Sequence, residues 1–313
     1  MSEELGFSVA CYKGDSPLLR GCLASIKYFA PDAPICLVID GDFDTRPFEK
    51  RYGVLSIRKK DVRHPELRRF SFGYGVTKMP VLWEGPFERV LHVDADAVLW
   101  GDIRKNLPGD DWDFVHNEPH EVITDYLQRT QYFDPEKIFN YIEYFDWHEN
   151  PYFNSGIFAC KRGCLDLEEY LKMLRLQERN IGLFFQDQAY LNILVFRALK
   201  AGKIKAMQAH LQTVVPVVSK GELELRFQLR NCKPMPWVQP TVVHWAGPKP
   251  YQTNPDVFSL PMDYFREIGM REFGLPKCFP ADLAMRLDEF QCRDLPRAFF
   301  KTKQLVKKAI GRR

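Results

Sequence analysis

The N-terminal half of the chain switches repeatedly between short apolar runs and apolar positions at helical spacing. Residues 7–11 (FSVAC) predict a first strand. Asp15-Ser16-Pro17 predicts a helix start, with Ser16 as the cap and Pro17 at the first helical position. Leu19, Cys22, Leu23, Ile26 and Phe29 then recur at helical spacing, and Pro31 marks the stop. Runs at 35–39 and 54–57 predict a second and a third strand, the second ending in Asp40-Gly41. A helix is expected over 76–83, then a buried strand at 90–93 and another at 113–116. This β-α-β alternation predicts an α/β chain: a mostly parallel central sheet with helices on both faces.

The second half is less regular. A strand is expected over 153–160, a charged amphipathic helix over 165–179, a further helix over 186–199 and a short strand over 241–245. No internal repeat or low-complexity linker interrupts the pattern. Residues 1–276 read as one domain, and 277–313 as a helical, basic C-terminal extension.

Composition bounds the reading. Of 313 residues, 45% are hydrophobic and 27% charged, an ordinary globular balance. No apolar run approaches the ~20 residues that span a bilayer. The first residues, MSEELGFSVACY, are acidic and lead straight into a strand, so no secretory signal is expected. The eight cysteines show neither zinc-ligand nor redox spacing and read as free thiols of a reducing compartment. The expectation is a cytoplasmic protein. A net charge of +3 is too small to imply a nucleic-acid partner.

The segment VLHVDADAVLWGDI sets Asp94 and Asp96 one residue apart at the end of an apolar run. Such a pair can converge on one hard cation, Mg²⁺ or Mn²⁺, whose other positions go to phosphate oxygens and water. The same triplet also occurs as plain solvated loop carboxylates. The strand before it favours a site, because open α/β sheets bind ligands beyond the carboxyl ends of their strands. Lys78, in TKMPVLW, can reach a diphosphate from a neighbouring helix or simply face solvent. Asn154-Ser155-Gly156 interrupts an aromatic and apolar run. It can bond sugar hydroxyls and admit a ligand to the backbone, although turns use the same residues. Asp187, followed by Gln188, stands at a predicted helix start, where capping is the simpler reading and a ligand contact the sharper one. His244 ends the strand TVVHW and precedes Ala-Gly-Pro-Lys-Pro-Tyr. A lone histidine is more often structural, but beside a glycine turn it can reach a metal, and Lys249 can reach phosphate. The basic stretch 58–63, continuing to Arg68-Arg69, reads as a solvated loop.

Taken together, these motifs resemble the retaining glycosyltransferases of family 8, which include glycogenin and bacterial lipopolysaccharide galactosyl- and glucosyltransferases. The shared order runs from the loop after strand one, through Thr77-Lys78, Asp94-Ala95-Asp96, Tyr152-Phe153-Asn154-Ser155-Gly156 and Asp187-Gln188, to His244 with Gly247-Pro248-Lys249-Pro250-Tyr251. The resemblance implies a GT-A, Rossmann-like fold, a nucleotide-sugar donor that is most often UDP-linked, and Mn²⁺ (or Mg²⁺). It implies Asp94, Asp96 and His244 as metal ligands. Lys78 and Lys249 would contact the diphosphate, with Gly247 in the same loop. Ala10, Cys11 and Tyr12 would form the nucleoside loop, with Ala95 beside them. Asn154, Ser155, Asp187 and Gln188 would lie around the donor sugar, the last two nearest the reaction. Two features depart from the family: one residue is missing before Lys249, and Tyr251 stands where tryptophan is usual. The nucleoside loop Ala-Cys-Tyr-Lys-Gly is also atypical.

The expected activity is metal-dependent hexosyl transfer to a hydroxyl of a glycan, a lipid-linked saccharide or a protein. Two other classes start from the same residues. Asp94-x-Asp96 after an apolar strand also fits the nucleophile motif of haloacid-dehalogenase-type phosphatases, which need a later acidic pair. A non-catalytic nucleotide-sugar-binding protein would keep the site without turnover. The tail FFKTKQLVKKAIGRR interleaves basic residues with Phe299, Phe300, Leu305, Val306 and Ile310. It offers peripheral contact with the inner face of an anionic membrane, or frays into solvent.

Overall fold

The computed structural model describes residues 5–73, 76–119, 124–145, 152–180, 182–235 and 239–310; the side chains of 186 and 303–310 lie outside the description. The tail positions Leu305, Val306 and Ile310 are therefore known by backbone alone.

Seven strands build the main sheet: β1 (Leu5–Tyr12), β2 (Ile35–Asp40), β3 (Leu55–Arg58), β4 (Arg89–Val93), β6 (Phe114–Asn117), β7 (Ile157–Lys161) and β8 (Ala206–Ala209), with β5 (Ala97–Trp100) falling outside it. Their order is β3-β2-β1-β4-β7-β6-β8. All pairings are parallel except those of β7, which runs antiparallel to both β4 and β6. The expected mostly parallel sheet is thus present, with one reversed strand. Alternation along β4 serves two cores: Val90 enters the cluster with Phe114, Phe158 and Tyr170, whereas Leu91 and Val93 enter the one with Phe7, Leu23 and Ile26.

A smaller sheet joins β5, β9 (Gln212–Val215) and, after the short hairpin β10 (Leu229–Arg230) and β11 (Lys233–Pro234), β12 (Thr241–Trp245). β12 lies between the other two, antiparallel to β5 and parallel to β9. This sheet packs its apolar residues with helix Ser16–Phe29 and helix Leu260–Glu272 in a third cluster containing Leu18, Trp100, Trp245 and Phe265.

Several expected elements differ in extent. The first helix begins at Ser16 itself, preceded by Asp15, and no side-chain cap bond forms, so Ser16 is not the cap. The helix expected over 76–83 is helical only from Val81 to Glu84; residues 77–80 form turns, with the Met79 amide donating to the Val76 carbonyl, and Pro80 has no amide with which to extend the helix backward. The strand expected over 153–160 is Ile157–Lys161, and residues 154–156 turn into it. The amphipathic helix is Leu167–Arg179, capped by Asp166, whose side chain accepts from the Glu169 amide at 3.1 Å.

From β1 the chain lays β2 and β3 to one side, then crosses to place β4 on the other. The β1/β4 boundary is therefore the point where strand order reverses, and a crevice opens beyond the carboxyl ends of the two strands.

Candidate functional site

That crevice is a cleft of about 700 Å³ lined by Ala10, Cys11, Tyr12, Lys13, Asp15, Asp40, Gly41, Gly73, Thr77, Lys78, Asp94, Ala95, Asp96, Asp187 and Lys249. β1 delivers the first three, and the turn from β4 into β5 delivers Asp94 to Asp96. Tyr12 is 46% exposed, so its ring stands on the cleft rim rather than in the core.

The small sheet brings His244 to the aspartates. His244 is paired with Ala97 across β12 and β5. Its Nε2 lies 3.7 Å from Asp94 Oδ2 and 3.5 Å from Asp96 Oδ1. One ligand atom from each of the three residues falls within 4.8 Å of the others. On the far side of the ring, Nδ1 is 2.8 Å from Gln212 Oε1. With Nδ1–H donating to that amide oxygen, the Nε2 lone pair faces the aspartates. Gly156 permits this approach. A Cβ at that position would lie 2.2 Å from His244 Cε1 and 2.7 Å from its Nδ1.

Two lysines balance the acids. Lys78 Nζ sits 2.7 Å from Asp94 Oδ1 and 2.9 Å from Asp187 Oδ2, and donates to the Ser155 carbonyl at 3.1 Å. Burial alone would lower this ammonium, but Asp187 and Asp94 hold its pKa above the ordinary lysine range. Burial likewise opposes the charge on Asp94, yet Lys78 and His92 keep its carboxyl well below the usual carboxylate range. His92 is held neutral by burial. Its Nε2 is 3.0 Å from Asp94 Oδ1 and its Nδ1 2.9 Å from Ser8 Oγ. Lys249 pairs with Asp96 and donates to the Trp245 carbonyl at 2.7 Å. The loop that lacks one residue before Lys249 therefore still brings its ammonium to the aspartates.

Asp187 does not cap its helix, Gln186–Lys200. Its carboxylate instead accepts from Ser155 Oγ at 2.6 Å and faces Lys78. Gln188 Oε1 accepts from the Ser155 amide at 3.4 Å, and Asn154 Oδ1 from the Gly156 amide at 2.8 Å. Asn154, Gln188 and Gly247 line a second, neighbouring cleft of about 680 Å³ with Phe184, Phe185, Pro216 and Val217. The candidates thus divide between two clefts, with Asp187 lining the first and the adjacent Gln188 the second.

Sequence reading missed four contributors. Asp40, in register with Tyr12 on the neighbouring strand, accepts through Oδ2 from Thr77 Oγ1 and from the Gly73 amide, each at 2.8 Å, and so ties both residues to the cleft wall. Asp15 carries a carboxyl pushed up to about 7 by burial and the nearby Asp96 charge, against the pull of Lys249. Gln212 and His92 support the metal-ligating candidates from behind. A glutamine or histidine within an apolar strand (HLQTVVPVV and RVLHV) is the signal that marks these last two. In the sequence Asp15 carries no signal beyond its place at a helix start.

No family model matches the chain, and no curated protein matches it. Solved structures do. The crystal structure of the galactosyltransferase LgtC with donor and acceptor sugar analogues is 15% identical, with a TM-score of 0.54, over 87% of this chain and 98% of that one. The apo structure of WbbM, a bifunctional glycosyltransferase, is 12% identical with a TM-score of 0.55 over 92% of this chain. The match covers 52% of WbbM, so this chain corresponds to about half of it. At such identities the likeness speaks for architecture: the chain has the GT-A fold of these two structures.

Proposed function

We propose that the protein is a metal-dependent retaining glycosyltransferase that moves a hexosyl group from a UDP-sugar to an acceptor hydroxyl on a glycan, a lipid-linked saccharide or a protein. The observation that carries this reading is the convergence of Asp94, Asp96 and His244 with two lysines at one end of a cleft. A cation fits the donor set. Asp96 Oδ1 is buried and makes no hydrogen bond, and the His244 Nε2 lone pair points at it. One imidazole among carboxylates favours Mn²⁺ over Mg²⁺. Bound there, the ion supplies Lewis-acid stabilisation to a departing diphosphate.

The chain's own residues supply the rest. Lys78 and Lys249 are the cations that exchange their aspartate partners for diphosphate oxygens as negative charge develops. Tyr12 stacks on the base, with Ala10, Cys11 and Ala95 forming the wall beneath the nucleoside. Asp187, fixed by Lys78 and Ser155, orients the sugar through its hydroxyls. So constrained it is a poor candidate for a covalent nucleophile. Retention then follows from attack on the leaving-group face: the anomeric carbon–phosphate oxygen bond breaks, the bond to the acceptor oxygen forms, and the hydroxyl proton passes to the departing phosphate. In this reading Asn154 and Gln188, which line the neighbouring cleft with Gly247, stand by the donor sugar where the acceptor would approach it. Exposed Leu283, Leu287, Phe290, Phe299 and Phe300 beside basic Arg286 and Lys301 fit peripheral contact with an anionic membrane carrying a lipid-linked acceptor.

The phosphatase alternative lacks support. Asp110 pairs with Arg89, at the end of β4 opposite Asp94, and Asp111 pairs with Lys205. Neither reaches the cleft to complete an acidic cluster.

The test is a panel of UDP-sugars incubated with the protein and Mn²⁺, following UDP release with and without candidate acceptors. One donor should turn over, and Asp96→Asn should lower kcat/KM by about 10²–10³-fold. Turnover unaffected by that substitution, or by chelation, overturns the metal-dependent reading. Tight UDP binding with no turnover of any donor would identify the non-catalytic alternative instead.

A further inference from the structure

The C-terminal segment packs against the loop that carries Lys249. Glu289 is 1% exposed and pairs at 2.7 Å with Arg266, which is fully buried. Both Glu289 oxygens also accept the Gln252 amide, at 3.0 and 3.1 Å. Four residues on, the Arg293 guanidinium stacks over the Tyr251 ring, with its central carbon 3.9 Å from the ring centroid. Arg293 also donates to Thr253 Oγ1 at 3.2 Å. Tyr251 in turn donates to the Gly14 carbonyl at 3.4 Å, in the segment joining β1 to the first helix. A burial this complete is costly for an ion pair unless its remaining polar atoms are satisfied; here a loop amide satisfies the carboxylate and the Met285 carbonyl takes one guanidinium N–H, while Arg266 Nε makes no hydrogen bond. The amide that satisfies the carboxylate belongs to the loop carrying Lys249.

We propose that residues 285–294 are part of the donor-binding apparatus: Glu289 and Arg293 are positioning residues that fix the 247–253 loop so that Lys249 meets Asp96 and a donor diphosphate. The substitution of tyrosine for the family's tryptophan belongs to this arrangement. The smaller ring leaves its face to Arg293 and sends its hydroxyl to Gly14. The loop, one residue short, is anchored at 251–253 by the C-terminal segment rather than by its own length. The proposal rests on the reading of Lys249 as a diphosphate contact.

The experiment measures two independent quantities on the full chain. First, hydrogen exchange is followed at the 247–253 amides with no nucleotide present. Second, UDP and uridine affinities are measured by calorimetry with Mn²⁺. Arg293→Ala should speed exchange across the loop and weaken UDP about tenfold while leaving uridine unchanged, since uridine lacks the diphosphate. In a Lys249→Ala background the same change should cost UDP binding little more, because both act through one ammonium. Arg293→Lys, which keeps the charge but not the flat stacking surface, should fall between. Unchanged loop exchange, equal losses for UDP and uridine, or full additivity with Lys249→Ala would each overturn the proposal. If Arg293→Ala loosens the loop but the unaltered protein binds no UDP, the positioning role stands and the donor reading fails.

Discussion

One methyl group at position 156 would be enough to displace His244. The Gly156→Ala variant should fold, because the clash is with side-chain atoms of His244 and Asn154 and not with backbone, but its imidazole cannot stay over the aspartates. Mn²⁺ affinity, read by electron paramagnetic resonance of the free ion, should fall about 10–100-fold. Unchanged affinity would remove His244 from the ligand set. Asp15 makes a different statement. Its folded pKa of about 7 lies above the ordinary 3.8, so the folded state holds the proton more tightly than the unfolded one. Stability is therefore lost as pH rises between those two values, and the cost is complete above the upper one. In chelator, Asp15→Asn should match the parent protein at pH 4 and melt a few degrees higher at pH 8. A constant difference across that range would show that Asp15 carries no such burden.

At the scale of elements, the strands with plain apolar runs were legible because each crosses the core with both faces covered. β1, β2, β4 and β12 fall within a residue or two of expectation. The helix Gln186–Lys200 was legible too, but the job of Asp187 was not, because capping and ligand contact call for the same residue at the same place. β8 and β9 escaped: each is four residues long, and AMQA carries no periodic signal. The small sheet therefore could not be foreseen, nor the second support it gives to His244. The aspartates, lysines and histidine were all readable, whereas their distances depend on how β5, β9 and β12 pair, which no local pattern encodes. The last helix, Leu295–Ile310, makes its own testable claim. With Phe299 and Phe300 exposed, the full chain should float with vesicles containing anionic lipid and not with neutral ones, and deletion after 294 should abolish flotation. Equal flotation with and without the helix would refute membrane contact.

Across the whole molecule, two sheets and a C-terminal segment each contribute what the others lack. The main sheet provides the crevice at its point of reversal, and its one reversed strand begins at that edge, so residues entering β7 stand beside residues leaving β4. The small sheet supplies the imidazole, and helix Leu260–Glu272 carries the arginine on which the segment after it is anchored. The charges gathered there have a consequence for the order in which ligands arrive. Asp94, Asp96 and Asp187 pair with Lys78 and Lys249, three carboxylates against two ammoniums, and the same cleft is lined by Asp15, Asp40 and Lys13. Acids outnumber lysines in the resting cleft, and a diphosphate approaching it is repelled while Lys78 and Lys249 are held by aspartates. A divalent cation offsets that excess and competes for the aspartates that hold the lysines. Ions should therefore load first and nucleotide second. Titrating UDP at rising Mn²⁺ should show affinity growing with ion occupancy, whereas Mn²⁺ should bind measurably with no nucleotide at all. UDP binding of equal strength in chelator would mean that the cleft admits its guests in the opposite sequence.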